Sequence, residues 1–133
     1  TPAFSAKPSG TQDIPNTTYT KVTLGTENFD TDGKFASSTF TPTVAGRYLI
    51  TAHAQYGDSV TECKVSVRIY KNGSSIASAH GWYQSSTGSG SAGVSIIDVS
   101  DADDYYEMYT WHNKGENLLI TTYSSFAACK LGD

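Results

Sequence analysis

Four carboxylates crowd into one short segment of the sequence, and they are the clearest candidates for chemistry. Hard cations such as Ca²⁺ take several oxygen ligands at about 2.3–2.6 Å, and a turn can supply them. The spacing differs from that of an EF-hand loop, which needs a central glycine and a terminal glutamate. We interpret the segment as a solvated turn without a metal, and we keep three of its residues as weak candidates for a structural cation site. The carboxylates are Asp98, Asp101, Asp103 and Asp104, and the three candidates are Asp101, Asp103 and Asp104.

Signals for enzymatic chemistry are weaker. His53, His80 and His112 are not spaced as metal ligands, and no G-x-S-x-G elbow exposes a catalytic serine. Residues 88–93 match G-x-G-x-x-G, but that motif binds a dinucleotide only between a strand and a helix. Here it lies in a Ser/Gly-rich loop that leads into a strand. We therefore predict that the protein is not an enzyme and needs no cofactor.

Two cysteines, Cys63 and Cys129, occur without the spacing of a zinc site. The favoured interpretation is a pair of buried thiols. A single disulfide between them is the alternative, and it would imply an oxidising compartment.

Alternation of apolar and polar residues, broken by turn residues, predicts a chain of short strands. In residues 63–70 the pattern places Cys63, Val65, Val67 and Ile69 on the inward face. Asn72-Gly73 between two such runs favours a type I′ hairpin, because both residues tolerate positive φ. Residues 84–93 (QSSTGSGSAG) are predicted to form a mobile loop. The main strands are predicted at residues 46–54, 63–70, 75–82, 94–99, 105–112 and 123–131.

Composition limits the class of protein. The 133 residues form a single domain, residues 1–133, and the 34 Ser and Thr with 12 Gly and 12% aromatics are typical of β-structure. Because the net charge is −4 and only two arginines occur, we expect no nucleic-acid partner. No apolar run approaches the roughly 20 residues of a membrane helix, so we expect no membrane insertion. The absence of an initiator Met leads us to expect a start inside a longer chain or after processing.

A series of short motifs runs through nearly the whole chain: residues 3–6 (AFSA), 29–30 (FD), 33–35 (GKF), 40–48 (FTPTVAGRY), 65–67 (VSV), 71–73 (KNG) and 125–128 (SFAA). Their order resembles the globular head of complement component one, subunit q (complement C1q), which is related in fold to tumour necrosis factor. The resemblance implies an all-β, ten-stranded antiparallel jelly-roll sandwich that assembles as a homotrimer. It also implies a non-enzymatic recognition head, and similar heads occur on bacterial spore filaments and phage virions.

The family pattern also assigns the faces of the aromatic-rich strand at residues 105–112. It puts Tyr106, Met108 and Thr110 in the core, which leaves the alternate residues facing outward. Exposed aromatic rings beside a carboxylate suit stacking on a sugar or contact with a protein. A subunit interface or packing under a loop is the competing interpretation. The ligand-binding candidates are Tyr105, Glu107, Tyr109 and Trp111, together with Trp82 and Tyr83 before the predicted loop.

We expect a trimeric recognition or adhesion head at the tip of a phage or bacterial surface fibre, extracellular or on the virion surface. Its partners would be further copies of itself and a cell-surface glycan or protein. One alternative is a structural capsid-decoration or trimerisation cap that binds virion proteins and no soluble ligand. Another is a secreted animal module, lectin-like or cytokine-like, in which the N-glycosylation sequons at Asn16 and Asn72 would be used.

Overall fold

The computed structural model describes residues 1–57, 60–84 and 88–133, and these residues form thirteen strands and no helix. The described part of the chain thus contains no helix with the length and apolarity needed to span a membrane. The strands are β1 (Ala3–Lys7), β2 (Gln12–Ile14), β3 (Thr20–Lys21), β4 (Thr26–Asp30), β5 (Phe35–Ala36), β6 (Thr39–Phe40), β7 (Gly46–Tyr56), β8 (Cys63–Lys71), β9 (Ser74–Tyr83), β10 (Gly90–Ser100), β11 (Tyr106–His112), β12 (Leu118–Ile120) and β13 (Ser125–Gly132).

The strands pair antiparallel into two sheets. The first sheet has seven strands. Six follow the pairing order β2-β12-β7-β13-β1-β4, and the seventh, β10, pairs with β7 along its whole length. The second has six strands in the order β5-β6-β11-β8-β9, with β3 also paired to β11. The two antiparallel sheets confirm the predicted all-β jelly-roll sandwich, with five of the thirteen strands among the described residues only two or three residues long.

The core lies between the two sheets, where alternate residues of each strand are buried. Four rings at one end hold the sheets together: Phe4 stacks on Phe35 at 4.5 Å and also contacts Phe40 and Phe126. In β8 the predicted inward residues are all fully buried, because period-two alternation gives a strand one apolar face. The fully buried residues of β7 and β8 include Tyr48, Ile50, Ala54, Tyr56, Cys63, Val65, Val67 and Ile69.

The predicted hairpin between β8 and β9 is confirmed. Asn72 and Gly73 have φ angles of 54° and 85°, so both occupy the left-handed region that a type I′ turn requires. The Asn72 side chain also spans to the next turn, since its amide oxygen accepts a hydrogen bond from the Tyr105 amide at 3.0 Å.

The predicted mobile loop at residues 84–93 is wrong at its C-terminal end. Gly90 to Gly93 belong to β10 and pair with β7, beginning with Gly90 opposite Tyr56. Gly90 is buried, and a Cβ on it would lie 2.6 Å from Val60 Cγ1. Small residues occur here because neighbouring side chains pack closely over the strand, so β10 starts four residues before the predicted position 94. Residues 85–87 of the predicted loop lie outside the described residues.

Both cysteines are free thiols. Cys63 lies in the core on β8, where burial raises the pKa of its thiol. Cys129 is half-buried on β13. Phe126 and Ala128 of the same strand point into the core, and by alternation Cys129 points to the opposite face of the first sheet. The disulfide alternative is therefore wrong, since the two residues lie in different sheets and Cys129 faces away from the core. The prediction of two buried thiols holds for Cys63 alone.

Candidate ligand-binding face

The outward face of the second sheet brings most of the predicted binding residues together. The register places Tyr109 beside Arg68 and Arg68 beside Ser78. One row further along, Trp111, Ser66 and His80 lie side by side on the same three strands. Since cross-strand neighbours lie about 4.5–5.5 Å apart, each row acts as one contact surface. We call this surface the aromatic face; it comprises Tyr19, Lys64, Ser66, Arg68, Tyr70, Ser78, His80, Trp82, Tyr105, Glu107, Tyr109 and Trp111.

Stacked rings and cations occupy one half of the aromatic face. Tyr19 stacks on Trp111 with ring centroids 5.9 Å apart, and the Arg68 guanidinium lies 4.0 Å from the centre of the Tyr19 ring. The Lys64 ammonium lies 5.6 Å from the centre of the Trp111 ring. These distances fall within the range of cation–π attraction, so both cations are held against rings.

In the other half of the aromatic face, the side chains make their contacts with one another and with neighbouring strands. Tyr109 stacks on Tyr70 with centroids 4.0 Å apart. Burial raises the pKa of Tyr109, and the nearby Glu107, Tyr70 and Tyr105 raise it further. Glu107 Oε2 lies 2.7 Å from Lys21 Nζ and accepts a hydrogen bond from the Thr39 hydroxyl at 3.0 Å. The carboxylate expected to meet a ligand is thus already engaged within the chain.

Trp82 and Tyr83 lie on opposite sides of the second sheet, although the sequence interpretation treated them alike. Trp82 is opposite Lys64 on the outward side and is 57% exposed. Tyr83 is opposite the buried Cys63, packs against the core and bonds through its hydroxyl to both the amide and the carbonyl of Ser91. Tyr83 therefore follows the competing interpretation, packing within the chain, because adjacent strand residues point to opposite faces.

The predicted acidic turn is organised by a lysine. Lys71 Nζ lies 2.8 Å from Asp98 Oδ2 and 3.3 Å from Asp104 Oδ2. Burial lowers the pKa of Lys71, but the hydrogen bonds and charge of these carboxylates outweigh it and raise the pKa. Asp104 also accepts hydrogen bonds from the Asn72 amide and the Asp101 backbone, and these bonds lower its pKa.

The remaining candidate metal ligands are dispersed. Asp101 and Asp103 are exposed, while His112 is buried and bonds to the Ile14 carbonyl at 2.7 Å. Within residues 1–57, 60–84 and 88–133, no three His, Cys, Asp or Glu side chains are grouped so that they could hold a metal ion.

Sequence reasoning missed the cationic part of the aromatic face. Lys64 and Arg68 were placed outward by the alternation of β8, but nothing in the sequence connected them with Tyr19, which precedes β3. That proximity depends on the register of β11 with both β3 and β8.

The outward face of the first sheet has a different character. A small pocket of about 200 Å³ is lined by Phe4, Phe29, Leu49, Thr51, Ala127, Ala128 and Cys129. Ile97 lies opposite Leu49 in the neighbouring strand and is 60% exposed, and Val99 is 66% exposed. This surface, which we call the apolar face, therefore presents contiguous hydrocarbon to solvent.

Several solved structures have a fold similar to that of this chain. The chain superposes on the globular domain of zebrafish complement 1qA protein with a TM-score of 0.74 and 18% identity, covering 98% of each chain. It matches murine APRIL with a TM-score of 0.72 and 12% identity over 98% of each chain. It matches the Eiger TNF of S. frugiperda with a TM-score of 0.68 and 14% identity, covering 99% of this chain and 92% of that one. No family model and no curated protein sequence matches. The resemblance read from the sequence motifs is thus confirmed at the level of fold: the chain is a jelly roll of the kind found in complement C1q heads and tumour necrosis factors.

Proposed function

We propose that the protein is a non-enzymatic, homotrimeric recognition head in which one face joins the copies and the other meets a ligand. The contrast between the apolar face and the aromatic face carries this proposal. Contiguous exposed hydrocarbon marks an interaction surface on a soluble protein. Aromatic rings beside polar groups offer a large contact area at low conformational cost, which suits contact with a sugar or protein.

A second and third copy are the occupants that the apolar face fits best. The fold is that of complement C1q heads and tumour necrosis factors, and the family resemblance implies a homotrimer. The strand β10, which carries Ile97 and Val99, lies at an edge of the first sheet. A closed ring of copies would cover this apolar edge, which otherwise invites uncontrolled strand pairing.

The assembly is tested by light scattering and sedimentation of the purified chain. We expect a particle of three chains of 14.2 kDa each. Ile97→Lys places a charge in the interface and should yield monomers that keep the β-sheet circular dichroism spectrum. Ala36→Lys adds the same charge at an exposed position of the second sheet and should leave the trimer intact. A wild-type monomer across ordinary concentrations would contradict the proposal.

We place the head at the tip of a phage or bacterial surface fibre, outside the cell or on the virion. A sequence rich in Ser, Thr and Gly with only two arginines supports this placement. The test is a broad cell-surface glycan array probed with the wild type and with Trp82→Ala, a change at an exposed ring of the aromatic face. Binding that weakens in the variant supports recognition. Absence of binding would favour a capsid-decoration or trimerisation cap, for which the apolar face alone suffices.

A further inference from the structure

A depression in the aromatic face has the features of a binding pocket. It measures about 230 Å³, below the roughly 300–1,000 Å³ of pockets for drug-sized ligands, so it suits a group the size of one sugar ring. Ser66, which is buried, and Ser78, which is exposed, contribute small side chains to its lining. Its lining residues are Tyr19, Lys64, Ser66, Arg68, Ser78, His80 and Trp111.

The charge of this pocket is opposite to that of the protein as a whole. The chain has a net charge of −4, yet every residue that lines the pocket is neutral or basic. None of the ion pairs among the described residues includes Lys64 or Arg68. Two cations therefore share one small depression, and the described chain places no carboxylate against either.

Arg68 is also short of hydrogen-bond partners. Its Nε is buried and has no partner among the described residues. A buried polar atom left without a partner costs about 1–3 kcal/mol, and more when the group is charged. The guanidinium carbon lies 4.0 Å from the centre of the Tyr19 ring, and this contact limits the freedom of the side chain before any ligand arrives.

From these observations we infer that the pocket binds a sugar that carries a carboxylate. Arg68 and Lys64 hold the carboxylate, since a guanidinium matches its geometry and both cations lack another acidic partner. The hydroxyl of the exposed Ser78 meets a sugar hydroxyl. The exposed ring of Trp82, beside Lys64 at the margin of the pocket, covers the apolar side of the sugar ring. This inference rests on the proposed recognition function and names the class of ligand for it.

Two methyl glycosides that differ in a single group test the inference. Methyl β-glucuronide and methyl β-glucoside are titrated separately into ¹⁵N-labelled protein, and amide shifts are followed by NMR. We expect the glucuronide to bind at least tenfold more tightly than the glucoside, with the largest shifts in β8 and β9. Higher salt should weaken the binding of the glucuronide and leave the binding of the glucoside unchanged, because only the glucuronide is charged. Equal binding of the two sugars, or binding of neither, would overturn the inference.

Variants separate charge recognition from simple packing. Arg68→Gln should weaken glucuronide binding about tenfold or more and leave the glucoside unaffected, as expected for loss of a charged hydrogen bond. Arg68→Lys keeps the charge but loses the planar guanidinium, so its affinity for the glucuronide should lie between those of the wild type and Arg68→Gln. Lys34→Gln makes the same change in net charge at an exposed position outside the pocket and should bind as the wild type does. An Arg68→Gln protein that folds and keeps the full wild-type preference for the glucuronide would refute the assignment.

The sugar titration and the light-scattering experiment test different surfaces. A chain that scatters light as a monomer would contradict the role proposed for the apolar face, and its binding of the two sugars could still be measured. A trimer that binds neutral glycans on the array but shows no preference for the glucuronide would retain the recognition head and remove its acidic ligand.

Discussion

The hydroxyl oxygens of Tyr56 and Thr110 lie 2.7 Å apart in the core and join the two sheets by a single hydrogen bond. Tyr56 belongs to β7 of the first sheet and Thr110 to β11 of the second, and both are fully buried. Thr110 donates its own proton to the Ser66 carbonyl at 2.8 Å, so Tyr56 is the donor between the two hydroxyls. Burial is the main cause that raises the pKa of Tyr56, which keeps the phenol protonated.

This bond predicts coupled losses of stability. Tyr56→Phe should lower the free energy of unfolding by about 1 kcal/mol, and Thr110→Val by about 2 kcal/mol, because the latter leaves a buried phenol without an acceptor. The double variant should cost less than the sum, since neither partner is then left unsatisfied. Urea denaturation measures all three, with Tyr123→Phe at a 77% exposed position as the control. Strict additivity would show that the hydroxyls do not interact.

Lys71 should stabilise the turn through its two carboxylates. Lys71→Met leaves Asp98 and Asp104 without their shared cation, and we expect a loss of about 1 kcal/mol, because the pairs are only partly shielded from water. Adding Asp98→Asn to this variant should restore part of the loss by removing one uncompensated charge. Thermal or chemical unfolding gives the values. Lys34→Met, which removes an exposed cation, should have little effect; an equal loss there would contradict a specific role of Lys71.

Two glycines should respond very differently to the same substitution. Gly73→Ala at φ 85° should cost about 1 kcal/mol, since the new methyl would meet only the Tyr105 hydroxyl, at 3.9 Å, and only the backbone is strained. Gly46→Ala should cost about 3 kcal/mol, because a Cβ there would lie 2.6 Å from the Gly132 carbonyl oxygen and the backbone is strained as well. Gly10→Ala, with no atom within 4 Å, is the neutral reference in the same denaturation series. Similar costs at all three positions would refute this ranking.

Stability should decline as the pH falls through the range in which histidine titrates. The buried His112 donates from Nε2 to the Ile14 carbonyl and accepts the Lys114 amide on Nδ1, so the neutral ring fits the site. Burial lowers its pKa below the ordinary 6.5, with the Ile14 bond opposing the shift. The unfolded chain then takes up a proton that the folded chain does not. The stabilisation is therefore complete above the unfolded pKa and is lost as the pH falls through it.

Unfolding measured between pH 8 and pH 5 checks this expectation. The slope contributed by one proton is at most about 1.4 kcal/mol per pH unit. His112→Gln should flatten the curve while keeping a side-chain donor for Ile14. Identical slopes in the wild type and in His112→Gln would mean that another group governs the dependence.

Strand positions could be predicted well where one face of a strand is apolar. The alternation in residues 63–70 is complete, and β8 runs from Cys63 to Lys71 as expected to within one residue. At residues 90–93 composition predicts a loop, whereas the structure has the start of β10. Glycine and serine are typical both of flexible loops and of strands that other side chains cover closely, and composition does not distinguish the two. Here Tyr83 and Val60 cover the strand, and neither is adjacent to it in the sequence.

The candidate site shows the same division. Parity along β11 separates two sets of residues, and the family pattern was needed to assign Tyr109 and Trp111 to the outward one. Along β9 the same parity separates Tyr83, which packs against the core, from Trp82, which faces outward. The cationic pocket could not be predicted, because Arg68 meets Tyr19 only after β3 and β8 pair with the two sides of β11.

By itself the sequence determined the all-β class, the inward and outward residues of β8, and the hairpin at Asn72-Gly73. These features arise from backbone conformation and from burial of one side of a strand, which are properties of near neighbours. Only the tertiary structure decided which strands lie side by side, and hence that Lys64 and Arg68 share a depression with Tyr19. The reason is that strand register is a long-range choice made by the whole core, and a pocket exists only where residues distant in the chain converge.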